Sequence, residues 1–239
     1  MIAGTTRLVG LIGNPVSGSL SPRMQNAAFA ARGLDWAYVP LEVAESRLGQ
    51  ALAGLVALGF AGANVTIPYK TRAVDLCDEL DEVATQAGSV NTLVVRDGRV
   101  HGSSTDAAVL DEVESASAAI VGDGGAAKAF AAALTARGAE VRVFSRRRDW
   151  PPAIEAADLV VHATPVKDEL LFEPSLGQTL IELAYRPDGR DTEHAAAARA
   201  AGCRVVDGLE VLVRQGALSF ERWTGVAAPV EVMRAAVRG

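Results

Sequence analysis

Residues 118–137 read AAIVGDGGAAKAFAAALTAR, in which an apolar run is followed by a glycine-rich turn and then by a long alanine-rich segment. A second apolar run, Glu140–Phe144, comes shortly after it. An apolar strand, an alanine-rich helix and another strand in this order are typical of a βαβ unit with parallel strands. The stretch therefore predicts an α/β fold in which helices cover a mostly parallel sheet.

The same alternation of apolar runs and helical segments extends toward the amino terminus. Strands are predicted there at residues 7–13, 35–43, 62–67, 90–96 and 99–101, and helices at residues 21–32, 47–58 and 78–86. Ser21 and Pro22 are predicted at the cap and first position of the first helix. Asp97-Gly98 predicts a two-residue hairpin turn between two strands.

The alternation also extends toward the carboxyl terminus. Strands are predicted there at residues 159–163, 179–183 and 204–206, and helices at residues 192–201, 209–223 and 229–238. The connection at residues 148–158 is short for a crossover between parallel strands, and it contains Pro151-Pro152. We therefore predict that its helix is no longer than about one turn.

Length, composition and charge limit the class of protein. The chain has 239 residues, 49% of them hydrophobic, which suits one large or two modest domains. No apolar run approaches the roughly 18 residues of a membrane span, and the first residues lack the pattern of a secretory signal, so we expect a cytoplasmic protein. The net charge of −6 and the scattered basic residues argue against a nucleic-acid surface.

The cysteines and histidines form no recognisable metal or disulfide motif. Cys77 and Cys203 are far apart, and neither belongs to a CxxC pair. His101, His162 and His194 are also isolated in the sequence. We therefore expect no metal site, and we interpret each of these residues as structural.

Residues 63–70 read ANVTIPYK and place polar groups on an otherwise apolar strand. Asn64 and Thr66 share one face, because residues two apart in a strand point to the same side. Pro68 is predicted to end the strand, which puts Lys70 in the turn beyond it. Water or a ligand is expected to meet these polar groups, and in open α/β sheets ligands bind at the carboxyl ends of the strands. The alternative is a strand followed by a solvated lysine.

The glycine-rich turn lies between a predicted strand and a predicted helix, which is the setting of a dinucleotide-binding turn. Gly122 would permit the tight turn, Gly124 would let the backbone approach a pyrophosphate, and Ala127 would allow close helix packing. Asp123 is unusual there, because a carboxylate would repel a pyrophosphate unless it pointed away. A plain glycine turn is the alternative interpretation.

The choice of dinucleotide is read at the end of the next strand, where the chain has Ser145-Arg146-Arg147-Arg148. An acidic residue at this point would favour the ribose hydroxyls of NAD. Guanidinium groups instead match the geometry and charge of a 2′-phosphate. The turn therefore favours NADP, and a solvated basic turn is the alternative.

Several motifs occur in one particular order along nearly the whole chain. They are Gly13-Asn14-Pro15 with Ser19-Leu20-Ser21-Pro22, ANVTIPYK, Val90-Asn91-Thr92, Thr105-Asp106, the GDGGAA turn, the SRRR turn and Asp207-Gly208-Leu209. In these motifs the chain resembles the shikimate dehydrogenase family. The resemblance implies a substrate-binding domain at residues 1–106 and 209–239, onto which the last helices pack, and a Rossmann-like NADP-binding domain at residues 107–208.

The resemblance also implies an activity and a role for each matching residue. The reaction would be the reversible NADPH-dependent reduction of 3-dehydroshikimate to shikimate in chorismate biosynthesis, with Lys70 and Asp106 as the catalytic pair. Contacts to shikimate would come from Ser19, Ser21, Thr66, Asn91, Asp106, Tyr185 and Gln215. Contacts to NADP would come from Gly122, Asp123, Gly124, Gly125, Ala126, Ser145, Arg146, Arg147, Thr164 and Gly208.

The chain departs from the family pattern at several of these places. Ala107 and Val109 follow Asp106 where the family has glycines, and His162 stands where the family has an asparagine. Lys167 also changes the loop that lies beside the nicotinamide in the family. Two alternatives therefore stay open, a quinate or quinate/shikimate dehydrogenase and a paralogue that binds pathway metabolites without efficient turnover. The expected partner is a small-molecule substrate, with no nucleic acid or membrane, and the chain would be a monomer or homodimer.

Overall fold

The computed structural model describes residues 2–239, which form two compact units. One unit contains the chain up to Thr105 together with Val213–Gly239, and the other contains Asp106–Leu212. Each unit has one sheet with helices packed on it, so the predicted α/β class is confirmed. The assignment of substrate and cofactor binding to separate domains stays a prediction.

The strands are β1 (Arg7–Gly13), β2 (Trp36–Glu42), β3 (Gly62–Val65), β4 (Glu79–Leu80), β5 (Thr92–Arg96), β6 (Arg99–Ser103), β7 (Ser117–Val121), β8 (Glu140–Phe144), β9 (Leu159–His162), β10 (Thr179–Glu182) and β11 (Arg204–Val206). All strands but β4 correspond to apolar runs predicted as strands. The α-helices are α1 (Ser21–Ala31), α2 (Leu48–Ala57), α3 (Glu82–Ala87), α4 (Gly125–Ala136), α5 (Glu193–Ala200), α6 (Gly208–Thr224) and α7 (Val230–Arg238).

The sheet of the first unit has the order β2-β1-β3-β5-β6-β4. β1 pairs parallel with β2 and β3, whereas β5 runs antiparallel to both β3 and β6. Asp97 and Gly98 connect β5 to β6 with φ angles of 53° and 74°, as a type I′ turn requires, so the predicted hairpin is confirmed. Because β5 is reversed, its first residues lie beside the carboxyl end of β3.

The sheet of the second unit is wholly parallel, with the order β11-β10-β9-β7-β8. Phe130 of α4 and Leu159 of β9 belong to the core on one face, and Phe144 and Val160 belong to the core on the other. Burial on both faces explains why β7 and β9 are almost continuously apolar. β8 is the edge strand of this sheet, and its Val143 is 41% exposed.

Three details differ from the sequence prediction. Ser21 is the first residue of α1 rather than its cap, which is Leu20. The helix predicted from residue 78 begins only at Glu82, because β4 pairs with β6 and Asp81 then caps α3 through a 2.7 Å bond to the Ala84 N–H.

The third difference lies in the β8–β9 connection, which contains no helix at residues 145–158, so the predicted turn of helix is wrong. Ser145 and Arg148 instead close a tight turn with two backbone hydrogen bonds, of 2.8 and 3.0 Å. The following Pro151 and Pro152 have no N–H to donate to a helix. Among residues 2–239, no helix is long and apolar enough to cross a lipid bilayer.

Candidate functional site

A buried cluster of polar side chains lies at the carboxyl end of β3 in the first unit. Asn64 Oδ1 accepts a hydrogen bond from the Tyr38 hydroxyl at 2.9 Å. Its Nδ2 donates to Ser219 Oγ at 2.9 Å and to the carbonyl oxygen of Asn91 at 3.0 Å. Asn64 is only 5% exposed, and these bonds replace the water that the amide loses on burial. Its position fits a structural support for the residues around it.

Asn91 extends this cluster toward the segment that precedes Asp106. Its Nδ2 donates to Thr105 Oγ1 at 3.0 Å and to Gln215 Oε1 at 3.3 Å, while its Oδ1 accepts from the Thr105 N–H at 2.7 Å. The structure thus brings together two predicted substrate-binding residues, Asn91 and Gln215, that are 124 residues apart in the sequence. Their roles toward a substrate stay predictions.

Thr66 and Lys70 lie at the same edge of this sheet. β3 ends at Val65, but the Thr66 N–H still donates to the Ile12 carbonyl at 2.8 Å, which keeps Thr66 beside β1. Lys70 lies in the turn after β3, where its carbonyl accepts a 2.9 Å bond from the Val90 N–H. Both side chains are partly exposed, so a ligand can reach them.

Ser19 and Ser21 lie at the carboxyl end of β1, where the loop enters α1. Ser19 Oγ accepts a hydrogen bond from the Ser21 N–H at 3.2 Å. Ser19 is partly exposed, whereas Ser21 is buried. The first unit therefore gathers predicted substrate-binding residues at the carboxyl ends of β1 and β3 and at the adjoining start of β5.

Asp106 and Tyr185 belong to the second unit. Asp106 is 6% exposed and follows Thr105 directly in the chain. Tyr185 follows β10, and the ammonium of Lys167 lies 5.9 Å from the centre of its ring. The catalytic role of Asp106 and the substrate contact of Tyr185 stay predictions.

The glycine-rich turn connects β7 to α4, as predicted. Gly122 has a φ of 131°, and a Cβ at this position would lie 2.7 Å from the carbonyl oxygen of Ala163, so only glycine fits. Gly124 is the cap of α4, and a Cβ there would meet nothing within 4 Å. The open side of Gly124 and the N–H groups in the first turn of α4, at Gly125 and Ala126, suit an anion.

A cavity of about 480 Å³ lies beside this turn, within the second unit. Its walls come from the glycine-rich turn, from β8 and from the turn after β8. The lining residues are Asp123, Arg142, Val143, Phe144, Ser145, Arg148 and Asp149. The guanidinium groups of Arg142 and Arg148 suit a phosphate, whereas the carboxylates of Asp123 and Asp149 would repel one. The volume is of the size expected for a small-ligand pocket.

Of the two arginines that line this cavity, Arg148 belongs to the SRRR turn, whereas Arg142 lies within β8. Arg142 and Arg148 line it, whereas Arg146 extends to Glu169, 3.4 Å from a carboxylate oxygen, and lies over the Trp150 ring. Arg147 is exposed and is not among the lining residues. The roles of Arg146 and Arg147 toward NADP stay predictions.

Thr164 and Gly208 follow the carboxyl ends of β9 and β11. Thr164 Oγ1 lies 2.6 Å from His162 Nε2 and accepts a bond from the Val166 N–H at 3.2 Å. Gly208 is the first residue of α6, where a Cβ would overlap the Ala184 carbonyl. The tight packing of its backbone requires glycine at this position.

Sequence reasoning missed several residues around these sites. Arg142 lies within β8, and the only signal for it in the sequence is its alternation with Val141 and Val143, which places it on the opposite face of the strand from those valines. His162 and His194 are isolated in the sequence, but their rings are in contact, with centroids 4.0 Å apart and planes tilted by 37°. Burial of His194, assisted by the neighbouring His162, lowers the pKa of its ring to about 3.

Comparison with known sequences agrees with the geometry. Residues 11–93 match the shikimate dehydrogenase substrate binding domain, and residues 208–238 match the shikimate 5′-dehydrogenase C-terminal domain. The shikimate dehydrogenase (NADP(+)) of Anaeromyxobacter dehalogenans strain 2CP-1 is 45% identical in an alignment that covers 96% of this chain and 95% of that protein. The enzyme of the same name from Moorella thermoacetica is 39% identical in an alignment that covers 99% of this chain and 94% of that protein.

Solved structures give the same result. The crystal structure of shikimate 5-dehydrogenase from Thermus thermophilus in complex with NADP(H) and shikimate superimposes with a TM-score of 0.87. That protein is 30% identical, and the match covers 97% of this chain and 98% of that one. The resemblance read from the ordered motifs is confirmed by these matches, and the chain belongs to the shikimate dehydrogenase family.

Proposed function

We propose that this protein catalyses the reversible reduction of 3-dehydroshikimate to shikimate with NADPH, as a step of chorismate biosynthesis in the cytoplasm. The observation that carries the proposal is the 45% identity, over nearly the full length of both chains, to a protein named shikimate dehydrogenase (NADP(+)). The chain would work as a monomer or homodimer on small molecules alone.

Lys70 and Asp106 are the residues proposed for the chemistry. When bound, NADPH supplies the hydride that attacks the substrate ketone. The oxygen of that ketone gains negative charge, and the Lys70 ammonium stabilises it and donates the proton. The Asp106 carboxylate is proposed to accept a hydrogen bond from a substrate hydroxyl.

The polar cluster of the first unit is proposed to orient the substrate. Ser19, Ser21, Thr66, Asn91 and Gln215 offer hydroxyl and amide groups that suit a polyhydroxylated ring carrying a carboxylate. Tyr185 is also proposed to contact the substrate. Several of these groups are already held by neighbours, as Asn91 is by Thr105. Such preorganisation lowers the cost of fixing the substrate.

The second unit is proposed to bind NADP. The open side of Gly124 and the first turn of α4 would receive the pyrophosphate, with Ser145 and the arginines around the 480 Å³ cavity on the 2′-phosphate. Arg142 of β8 and Arg148, the last arginine of the SRRR turn, are added to Arg146 and Arg147 as proposed contacts to NADP.

Steady-state kinetics with purified protein test the proposal. Shikimate and quinate are each offered with NADP or NAD, and the absorbance of the reduced cofactor is followed. We expect shikimate with NADP to give the highest kcat/KM. Faster turnover of quinate would establish the quinate enzyme instead, and saturable shikimate binding without turnover on any pair would favour the metabolite-binding paralogue.

Replacement of the proposed proton donor provides the second test. Lys70→Ala should lower kcat by roughly 100- to 10,000-fold, the usual contribution of a positioned acid or base. Arg72→Ala is the matched control, because Arg72 is a nearby cation whose side chain is 52% exposed and pairs with Glu45. Turnover of Lys70→Ala within a few-fold of the parent protein would contradict the assignment.

A further inference from the structure

Three buried side chains, at the last residues of β9 and β10 and in the first turn of α5, have no part in the function proposed so far. His162, Glu182 and His194 are 0%, 1% and 0% exposed. Burial of a carboxylate among apolar neighbours is costly unless it is hydrogen-bonded. Glu182 is bonded: it accepts from the Thr192 hydroxyl and the Ala184 N–H, each at 2.8 Å.

His162 is the third donor to this carboxylate. Its Nδ1 lies 2.9 Å from each carboxylate oxygen of Glu182. Because an ionised carboxylate only accepts hydrogen bonds, Nδ1 of His162 carries a proton. The opposite nitrogen, Nε2, lies 2.6 Å from Thr164 Oγ1. Glu182, His162 and Thr164 therefore form a continuous hydrogen-bonded chain from the buried sheet to the loop after β9.

The same side chains resemble a metal site, since ligand atoms of His162, Glu182 and His194 all lie within 4.8 Å of one another. The protonation of His194 argues against a metal. Its Nε2 accepts a 2.8 Å bond from the Leu171 N–H, so a neutral ring carries its proton on Nδ1, the nitrogen on the Glu182 side. A metal on Nδ1 would need a ring stripped of both protons. His194 Nδ1 lies 4.0 Å from Glu182 and makes no hydrogen bond, so the hydrogen bonds between these three side chains are those of His162 with Glu182.

Thr164 lies next to the glycine-rich turn. His162 pairs in register with Val121 at the end of β7, and the Ala163 N–H donates to the Val121 carbonyl at 2.8 Å. Ala163 in turn packs so closely on Gly122 that a Cβ could not fit between them. The loop that begins at Thr164 therefore leaves the sheet at the edge where parallel strands of this kind bind dinucleotides.

We propose that Glu182 and His162 act as positioning residues, which fix the hydroxyl of Thr164, and with it the loop at residues 164–167, for the bound NADP. This inference rests on the proposed function, because it takes NADP as the ligand of the second unit. Glu182 sets the orientation of the His162 ring, and Nε2 of that ring is hydrogen-bonded to the Thr164 hydroxyl. The Val166 N–H donates a hydrogen bond to the same hydroxyl oxygen and so stabilises the loop.

We call the hydrogen-bonded chain of Glu182, His162 and Thr164 the relay. A double-mutant cycle on the NADPH dissociation constant tests it without a measurement of turnover. His162→Leu and Thr164→Val each remove one end of the same hydrogen bond. We expect each to weaken NADPH binding by about tenfold, the usual effect of one such bond. The loss of affinity in the double variant should be clearly smaller than the product of the two single losses, because both changes break the His162–Thr164 bond. Shikimate binding should stay within about twofold of the parent.

A conservative variant and a control sharpen the cycle. Thr164→Ser keeps the hydroxyl and should bind NADPH as the parent protein does. His101→Leu replaces a partly exposed histidine of the first unit and should also bind as the parent does. Multiplicative losses in the double variant, or an equal loss of shikimate binding in His162→Leu, would show that His162 is merely structural.

Nuclear magnetic resonance of histidines labelled with ¹⁵N covers the case in which His162→Leu does not fold. In the parent protein, Nδ1 of His162 should be the protonated nitrogen, and Thr164→Val should shift the Nε2 resonance. An unchanged Nε2 resonance would overturn the relay. If the parent protein failed to bind NADPH, both the proposed function and the relay would be wrong. If the parent bound NADPH and the loss in the double variant equalled the product of the single losses, only the relay would be wrong.

Discussion

Asn91 holds Thr105 at two points: its Nδ2 donates to Thr105 Oγ1 at 3.0 Å, and its Oδ1 accepts from the Thr105 N–H at 2.7 Å. Both residues are 2% exposed. The pair connects the start of β5 to the segment that leads into Asp106. The proposed catalytic carboxylate therefore follows a residue whose backbone and side chain are both fixed.

Asn91→Ala should destabilise the protein, because it leaves the Thr105 N–H buried without that partner. We expect a loss of about 1–3 kcal/mol in the free energy of unfolding, measured by urea denaturation. Gln86→Ala is the control, since Gln86 is an exposed amide that bonds Glu82 on the surface of α3. An unchanged urea midpoint for Asn91→Ala would mean that the Asn91–Thr105 bonds contribute nothing to stability.

Gly122→Ala and Gly124→Ala distinguish the role of the glycine-rich turn in stability from its role in NADP binding. Gly122 has a positive φ and the Ala163 carbonyl oxygen at its side, so alanine there should cost at least about 1–3 kcal/mol of stability. Gly124 has φ −76° and open space, so alanine should leave the thermal midpoint nearly unchanged and weaken NADP binding instead. Thermal unfolding and calorimetric titration with NADP distinguish the two. Equal stability losses in both variants would contradict this division.

Arg148→Ala should weaken NADP binding by about 10- to 100-fold, as expected for the loss of a charge-assisted hydrogen bond. NAD binding should change little, because NAD lacks the 2′-phosphate. Arg142→Ala should act in the same direction, and Arg190→Ala, an exposed arginine paired with Asp188, is the control. The ratio of the NADP and NAD dissociation constants is the measurement.

The motif interpretation makes a competing prediction for the same experiment. If Arg146→Ala reduced NADP affinity more than Arg148→Ala did, the motif position would outweigh the cavity geometry. Arg146 would then have to leave Glu169 when NADP binds. Equal losses of NADP and NAD binding in any of these variants would indicate a structural role for that arginine.

His194 should make the protein sensitive to acid. Burial lowers the pKa of its ring from the usual 6.5 to about 3, so the folded protein keeps it neutral while the unfolded chain binds a proton below pH 6.5. Stability from this group is therefore complete above about pH 6.5 and falls as the pH drops toward 3, by up to about 1.4 kcal/mol per pH unit. Urea denaturation at several pH values measures the slope.

His194→Gln should flatten that slope, because glutamine does not titrate and its amide oxygen can accept from the Leu171 N–H. His101→Gln, on a partly exposed histidine, should retain the parent slope. A His194→Gln protein that lost stability with acid as steeply as the parent would show that other groups cause the effect.

Much of the fold was readable from local sequence. The strand and helix order, the Asp97-Gly98 hairpin and the strand–turn–helix at Gly122 follow from periodicity and from the φ preferences of single residues, which act over short stretches of chain. Errors occurred where an interaction from outside the stretch prevailed. Pairing of β4 with β6 delayed the start of α3, and the turn between Ser145 and Arg148 replaced a predicted helix.

The site divides in the same way. The ordered motifs identified the family and named Lys70, Asp106 and the glycine-rich turn, because each motif carries its residue types at fixed local spacing. No local pattern predicts that Arg142 lines the cavity. Nor does one predict that the ring of His162 contacts the ring of His194, 32 residues further along the chain. Those contacts depend on which strand lies at the sheet edge and on how the loops after β9 and β10 pack, and both are decided only when distant segments meet in the folded chain.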